Sequence, residues 1–232
     1  MPHAIAVLED LPALWREASL CIVRALHRGI AERDWAFLAL PAGPFVRPIY
    51  EELRHASLDW SKVEFYFSEE RGVPPSHPAS AFAEADLRLF DNPRIGAHQV
   101  HRIEGEAGDL DVAAARYAEE LPEEFDAMLF EPGDDGRCGA LLPGSPAFDQ
   151  DESMVVALRV ATKPVRRVAF TPRVLASALE LVVVAHGHEK ADVVARAIEG
   201  SEDPKSYPAA LLAEGSWFLD RAAASRLRVR GA

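Results

Sequence analysis

Residues 125–144 read FDAMLFEPGDDGRCGALLPG, an apolar run that opens into a loop rich in glycine and acid. FDAMLF has the length and apolar content of a buried strand, and Asp135-Gly136 and Pro143-Gly144 mark tight turns after it. In open α/β sheets ligands sit outside the carboxyl ends of the strands, so a loop in this position is a place for chemistry. At its tip stands Arg137. A guanidinium stays protonated at any physiological pH and cannot shuttle a proton.

Working outward, short runs rich in β-branched and aromatic residues alternate with longer amphipathic ones. AIAVL, WAFLAL, VEFYFS, HQVHRI, FDAMLF, MVVALRVA, RRVAF and LVVVAH read as extended. Helices are expected over 11–32, in PIYEELRHA, ASAFAEADLRLF, LDVAAARYAEEL, VLASALEL and EKADVVARAIEG. Strands separated by helices of this length imply parallel pairing through crossovers, hence an α/β fold with a layered, mostly parallel sheet and helices on both faces. Proline and glycine punctuate the junctions without forming a linker or a repeat, so residues 1–232 are expected to form one domain.

The chain is 49% hydrophobic and 27% charged, with a formal net charge of −12. Residues 104–135 hold twelve acids against the single base Arg116. Nucleic-acid binding needs a basic face, so that partner is excluded, and a solvated acidic surface is expected here. No apolar run reaches the ~18 residues that span a membrane, and the opening MPHAIAVLEDLP lacks a basic stretch followed by an apolar one; a cytoplasmic protein is expected. Cys21 and Cys138 form neither a disulfide framework nor a metal-binding spacing, and no cofactor is called for.

Three loops fall at strand carboxyl ends: PAGP after WAFLAL, SEERGVPPSH after VEFYFS, and EPGDDGR after FDAMLF. Their shared position predicts a common pocket. Glu69, Glu70 and Arg71 offer acids beside a guanidinium, for a sugar hydroxyl or for a surface ion pair. Lys163, Arg166 and Arg167 flank a strand and are either three cations for a phosphate, the arginines through their planar forks, or a solvated strand end. In AHGHEKADVV, His186 and His188 bracket Gly187 and Lys190 opens a helix, a setting for an anion. Two histidines without a third ligand nearby do not make a metal site. Cys138 is expected to be a buried structural thiol.

Taken in order, these segments resemble the 6-phosphogluconolactonases, a family in the fold group of glucosamine-6-phosphate deaminase and ribose-5-phosphate isomerase. The likeness runs over nearly the whole chain. FLALPAGPFVRPIYEEL is similar to the family's phosphate loop and following helix, VEFYFSEERGVPPSHPAS to its D-E-R-x-V-P stretch, and FDAMLFEPGDDGRCGALLPG to its G-x-D-G-H-T-A-S-L-F-P-G stretch. TKPVRRVAFTPRVLASA follows K-P-x-x-R-I-T, VVVAHGHEKADVV follows G-x-x-K, and WFLDRAAAS follows W-x-x-D-x-x-A.

The resemblance implies a Rossmann-like fold and hydrolysis of 6-phosphogluconolactone in pentose phosphate metabolism. It implies Glu70 and Asp135 in the catalytic machinery, and Gly43, Arg71, Gly136, Arg137, Lys163, Arg167 and Lys190 around a sugar phosphate. The departures fall where the family works. The histidine that serves as general base is Arg137 here, Ala81 replaces the asparagine of D-S-N, and Pro41, Ala42, Gly43, Pro44 and Phe45 replace S-G-G-S-T. Proline has no N–H to offer an anion. Two readings stay open: a lactone hydrolase with His186 or His188 as substitute base, or a catalytically impaired relative that binds a sugar phosphate or small anion, or works through protein contacts.

Overall fold

The computed structural model describes residues 4–150 and 152–228. In chain order the elements are β1 (Ile5–Leu8), α1 (Leu11–Arg33), β2 (Ala36–Leu40), α2 (Val46–His55), β3 (Val63–Phe67), β4 (Glu69–Arg71), α3 (Ala81–Ala85) and α4 (Leu110–Glu119). They continue with β5 (Ala127–Phe130), β6 (Val155–Arg159), β7 (Arg166–Phe170), α5 (Pro172–Leu175), β8 (Leu181–Ala185), α6 (Ala191–Glu199) and β9 (Ser216–Asp220).

Six strands form one sheet in the order β1-β9-β8-β5-β2-β3, every pair parallel. All four residues of β5 and four of the five in β8 are buried, the continuous apolar run that a sheet covered by other layers requires. The layered, mostly parallel α/β sheet expected from the strand–helix alternation is therefore what the chain forms. β2 lies between β3 and β5, so the chain leaves it to one side and later returns on the other. That reversal opens a crevice above the carboxyl ends of β2, β3 and β5.

Helices follow from local pattern and caps. Asp10 accepts the Ala13 amide at 2.8 Å and starts α1, whose Leu14, Ala18, Ile22 and Leu26 form one buried stripe. α2 buries Val46, Ile49, Tyr50 and Leu53 at helical spacing. Asp109 caps α4 through the Asp111 and Val112 amides. No helix among the described residues is long and apolar enough to cross a membrane.

A second, antiparallel sheet, β4-β7-β6, closes one side of the crevice. Ser68 is the corner between the sheets: its amide donates to Leu40 O at 2.8 Å and its carbonyl accepts from Phe170 N at 2.9 Å. The Tyr117 hydroxyl accepts from Phe67 N at 2.6 Å and donates to Phe67 O, fixing the end of β3 just before that corner.

Four segments differ from the sequence expectation. SEERGVPPSH is not wholly loop, because Glu69–Arg71 pair with β7. HQVHRI contributes only an isolated bridge, Val100 with Phe65; the Gln99 side chain instead donates to Trp60 O and Val63 O and closes a 3₁₀ turn over Ala97–Gln99. VLASALEL leaves the helix after Leu175, since Ser177 O and Leu179 N both bond Phe125. WFLD, read only as a motif, is strand β9.

Candidate functional site

The three loops at the carboxyl ends of β2, β3 and β5 line one cleft of about 240 Å³. One wall is Pro41, Ala42, Gly43, Pro44 and Phe45; Glu131, Gly133, Arg137 and Gly139 form a second; Glu69, Arg71 and Arg167 form a third.

The third wall is set by strand register. Side chains two apart on a strand share a face, and residues directly opposite in an antiparallel pair share it too. Arg71 stands opposite Arg167 across β4 and β7, which puts Glu69, Arg71 and Arg167 on the cleft side together. Glu70, between them, points to the other side. Its carboxylate accepts from Arg71 N at 2.6 Å, Ser80 Oγ at 2.8 Å, Ala81 N at 2.8 Å and Phe82 N at 3.0 Å. Glu70 thus holds the start of α3.

Glu69 is 7% exposed, and none of the described residues donates a hydrogen bond to its carboxylate. Burial raises its pKa above the usual carboxylate range, against the opposing fields of Arg71, Arg167 and Arg137. Arg167 is 8% exposed, and its buried Nη1 has no hydrogen-bond partner among the described residues. Burial and the Arg71 charge both lower the Arg167 pKa. Neither Arg71 nor Arg167 is in an ion pair with a described carboxylate. Like charges placed directly opposite across a strand pair are destabilising, so this arrangement suits an anion between them.

The glycine-rich loop is built by its own turns. Gly133 N donates to Arg137 O at 3.0 Å and Gly136 N to Gly133 O at 2.9 Å, with Gly136 at φ +82°. At the loop tip Arg137 pairs with Asp135 at 3.1 Å, and both are exposed. Lys190 anchors the loop from below: its ammonium donates to Pro132 O at 2.8 Å and lies 2.7 Å from Asp134 and 3.6 Å from Glu131. With its side chain 12% exposed, Lys190 is a brace within the protein and does not line the cleft. Glu131 does line it, its pKa raised by burial and partly restored by Lys190 and His186.

The remaining sequence candidates lie elsewhere. His186 packs edge-on against Trp15 with ring centroids 5.2 Å apart, and His188 is exposed beside Ser225. Neither lines the cleft. Gly187, at φ +90°, is tied through its amide to the Asp220 carboxylate, which gives W-x-x-D a structural role. Lys163 is exposed next to the cleft residue Thr162 without lining the cleft itself. Gly136 turns the loop from behind. Cys138 is buried and its thiol pKa is pushed up, so it stays an inert thiol. The sequence offered Glu69 and Glu70 together and the resemblance picked Glu70; the short strand β4 turns Glu69 to the cleft and Glu70 away from it, a difference of face that the sequence does not mark.

Comparison with known proteins gives one family. Residues 9–219 match the family described as glucosamine-6-phosphate isomerases/6-phosphogluconolactonase. A 6-phosphogluconolactonase of Mycobacterium tuberculosis is 32% identical over 248 residues, covering 98% of this chain and 99% of the relative. One from Synechocystis is 28% identical, covering 98% of this chain and all of the relative. The crystal structure of 6-phosphogluconolactonase from Thermotoga maritima shares the fold with a TM-score of 0.83 at 23% identity, over 94% of this chain and 99% of that one.

Proposed function

The chain belongs to the glucosamine-6-phosphate isomerase/6-phosphogluconolactonase family, and on that premise we propose that it binds 6-phosphogluconolactone in this cleft and hydrolyses the lactone ester. The observation that carries the reading is the Arg71–Arg167 pair: two arginines directly opposite across β4 and β7, one with a buried nitrogen that has no partner among the described residues. A phosphate or carboxylate between them would satisfy that donor and relieve the like-charge repulsion. Arg137, on the adjoining wall, is placed to stabilise the oxyanion that forms when water adds to a lactone carbonyl.

The test is acid release from 6-phosphogluconolactone, with inorganic phosphate as competitor. Turnover above the spontaneous rate, inhibited by phosphate, is expected. Loss of both turnover and phosphate binding would overturn the reading. Phosphate binding without turnover would favour a catalytically silent anion binder. Specific features recommend that second reading: Arg137 cannot act as a base, and Pro41 and Pro44 offer no N–H to a phosphate.

A further inference from the structure

Lactone opening needs a group that takes a proton from water, and Arg137 cannot supply it. We infer that Glu69 is the general base of this cleft. The inference rests on the hydrolase reading above.

The other carboxylates in or beside the cleft are occupied, Asp134 by Lys190 among them. Glu70 accepts four hydrogen bonds on the far face of β4. Asp135 is held by Arg137, and Glu131 lies 3.6 Å from the Lys190 ammonium. Glu69 alone lines the cleft with no hydrogen bond or ion pair from a described residue to compete for its oxygens. His186 and His188 do not line the cleft.

The surroundings suit a base. Gly139 borders the carboxylate with no side chain; a Cβ there would lie 3.8 Å from Glu69 Cδ. A water can therefore approach from the Gly139 side while a ligand anion engages Arg71 and Arg167. Cys138, beside Glu69, stays a neutral thiol and does not compete as a nucleophile. Burial raises the Glu69 pKa above the usual carboxylate range, which gives the carboxylate more proton affinity as a base.

The step balances with one water. Glu69 carboxylate takes a proton as the water oxygen bonds to the lactone carbonyl carbon, and the carbonyl oxygen becomes an oxyanion facing Arg137. The oxyanion reforms the carbonyl, the ring C–O bond breaks, and the proton on Glu69 passes to the departing alkoxide. The products are a hydroxyl and a carboxylic acid, which then ionises. Glu69 ends as it began.

A second consequence ties the base to the ligand. Arg71, Arg167 and Arg137 are the charges that hold the Glu69 pKa down. An anion bound among them offsets that field, so Glu69 becomes more basic when the substrate is bound. The pH limb of kcat, which reports the complex, should then lie above that of kcat/KM, which reports the free enzyme.

The experiment measures both pH profiles for wild type, Glu69→Gln and Glu69→Asp, with thermal unfolding with and without inorganic phosphate as the folding control. Glu69→Gln is expected to keep the phosphate response and lose about 100- to 10,000-fold in kcat. Glu69→Asp is expected to retain an ascending limb at reduced kcat. Turnover in Glu69→Gln within about threefold of wild type would overturn the base and leave the hydrolase reading standing. A wild-type kcat limb at or below the kcat/KM limb would overturn the coupling of base to ligand. Wild-type protein that binds phosphate but never exceeds the spontaneous rate would overturn the hydrolase reading, and the base with it.

Discussion

The α-carbon of Gly136 rests on the ring of Tyr207, so closely that a Cβ there would lie 2.2 Å from a ring carbon. The ring is backed on its own account by Arg196, whose guanidinium carbon is 3.9 Å from the ring centroid, and Gly136 O accepts from Ala209 N at 2.7 Å. A turn that carries Arg137 is thus clamped from behind by a rigid aromatic plate. Gly136→Ala meets both that plate and a φ of +82°. It is expected to cost roughly 1–3 kcal/mol and to weaken phosphate binding, read by urea unfolding and a phosphate titration. Unchanged stability would mean that Tyr207 swings aside freely.

Arg167 is a buried cation opposite another cation, a costly placement for stability alone. Arg167→Met removes the orphaned Nη1 and the repulsion from Arg71 while keeping most of the apolar stem. Without ligand the variant is expected to be at least as stable as wild type. In phosphate, wild type should gain stability by mass action and the variant should not. Thermal unfolding across a phosphate series checks this. A variant that melts lower yet responds to phosphate like wild type would assign Arg167 to structure.

Glu70 has the opposite character. Four donors converge on its carboxylate, three from backbone amides and one from Ser80. Glu70→Ala leaves them unsatisfied in a buried place and is expected to destabilise by about 3 kcal/mol or more, with Glu70→Gln intermediate. Denaturant midpoints for the three proteins decide it. A Glu70→Ala variant as stable as wild type but inactive would return Glu70 to the chemistry.

The neighbouring acids show where sequence was and was not enough. The parallel sheet was legible because β2, β3, β5 and β8 are apolar runs separated by patterned helices, and its strand ends pointed to the three cleft loops. Which acid of Glu69-Glu70 faces the cleft depends on a three-residue strand paired with a partner about a hundred positions away, and no local pattern reports that. Lys190 looked like an anion site because it opens a helix, yet its ammonium is taken by Pro132, Asp134 and Glu131, a contact across 58 positions that spacing cannot show. VLASALEL has helical composition, but the pairing of Ser177 and Leu179 with Phe125 outweighs propensity.

Glu69 also leaves a mark on stability that needs no substrate. Its folded-state pKa is raised above the unfolded value, chiefly by burial. Between those two values the native chain holds a proton that the unfolded chain has released, so stability falls as pH rises through that window. Below the unfolded pKa the carboxyl is protonated in both states and the penalty is absent; above the folded pKa it is fully developed. Glu69→Gln cannot ionise and escapes the penalty at every pH, while keeping nearly the same shape. The stability of the variant relative to wild type should therefore increase as pH rises from the unfolded carboxylate value of about 4 through the raised folded value, and then level off. Salt should move the gap little, since the group is buried and its interactions are weakly screened. Urea unfolding of both proteins at several pH values in phosphate-free buffer measures the gap directly. A gap that stays flat with pH, or that shrinks as pH rises, would show that Arg71, Arg137 and Arg167 hold Glu69 ionised in spite of its burial, and a base strengthened by burial would lose its physical ground.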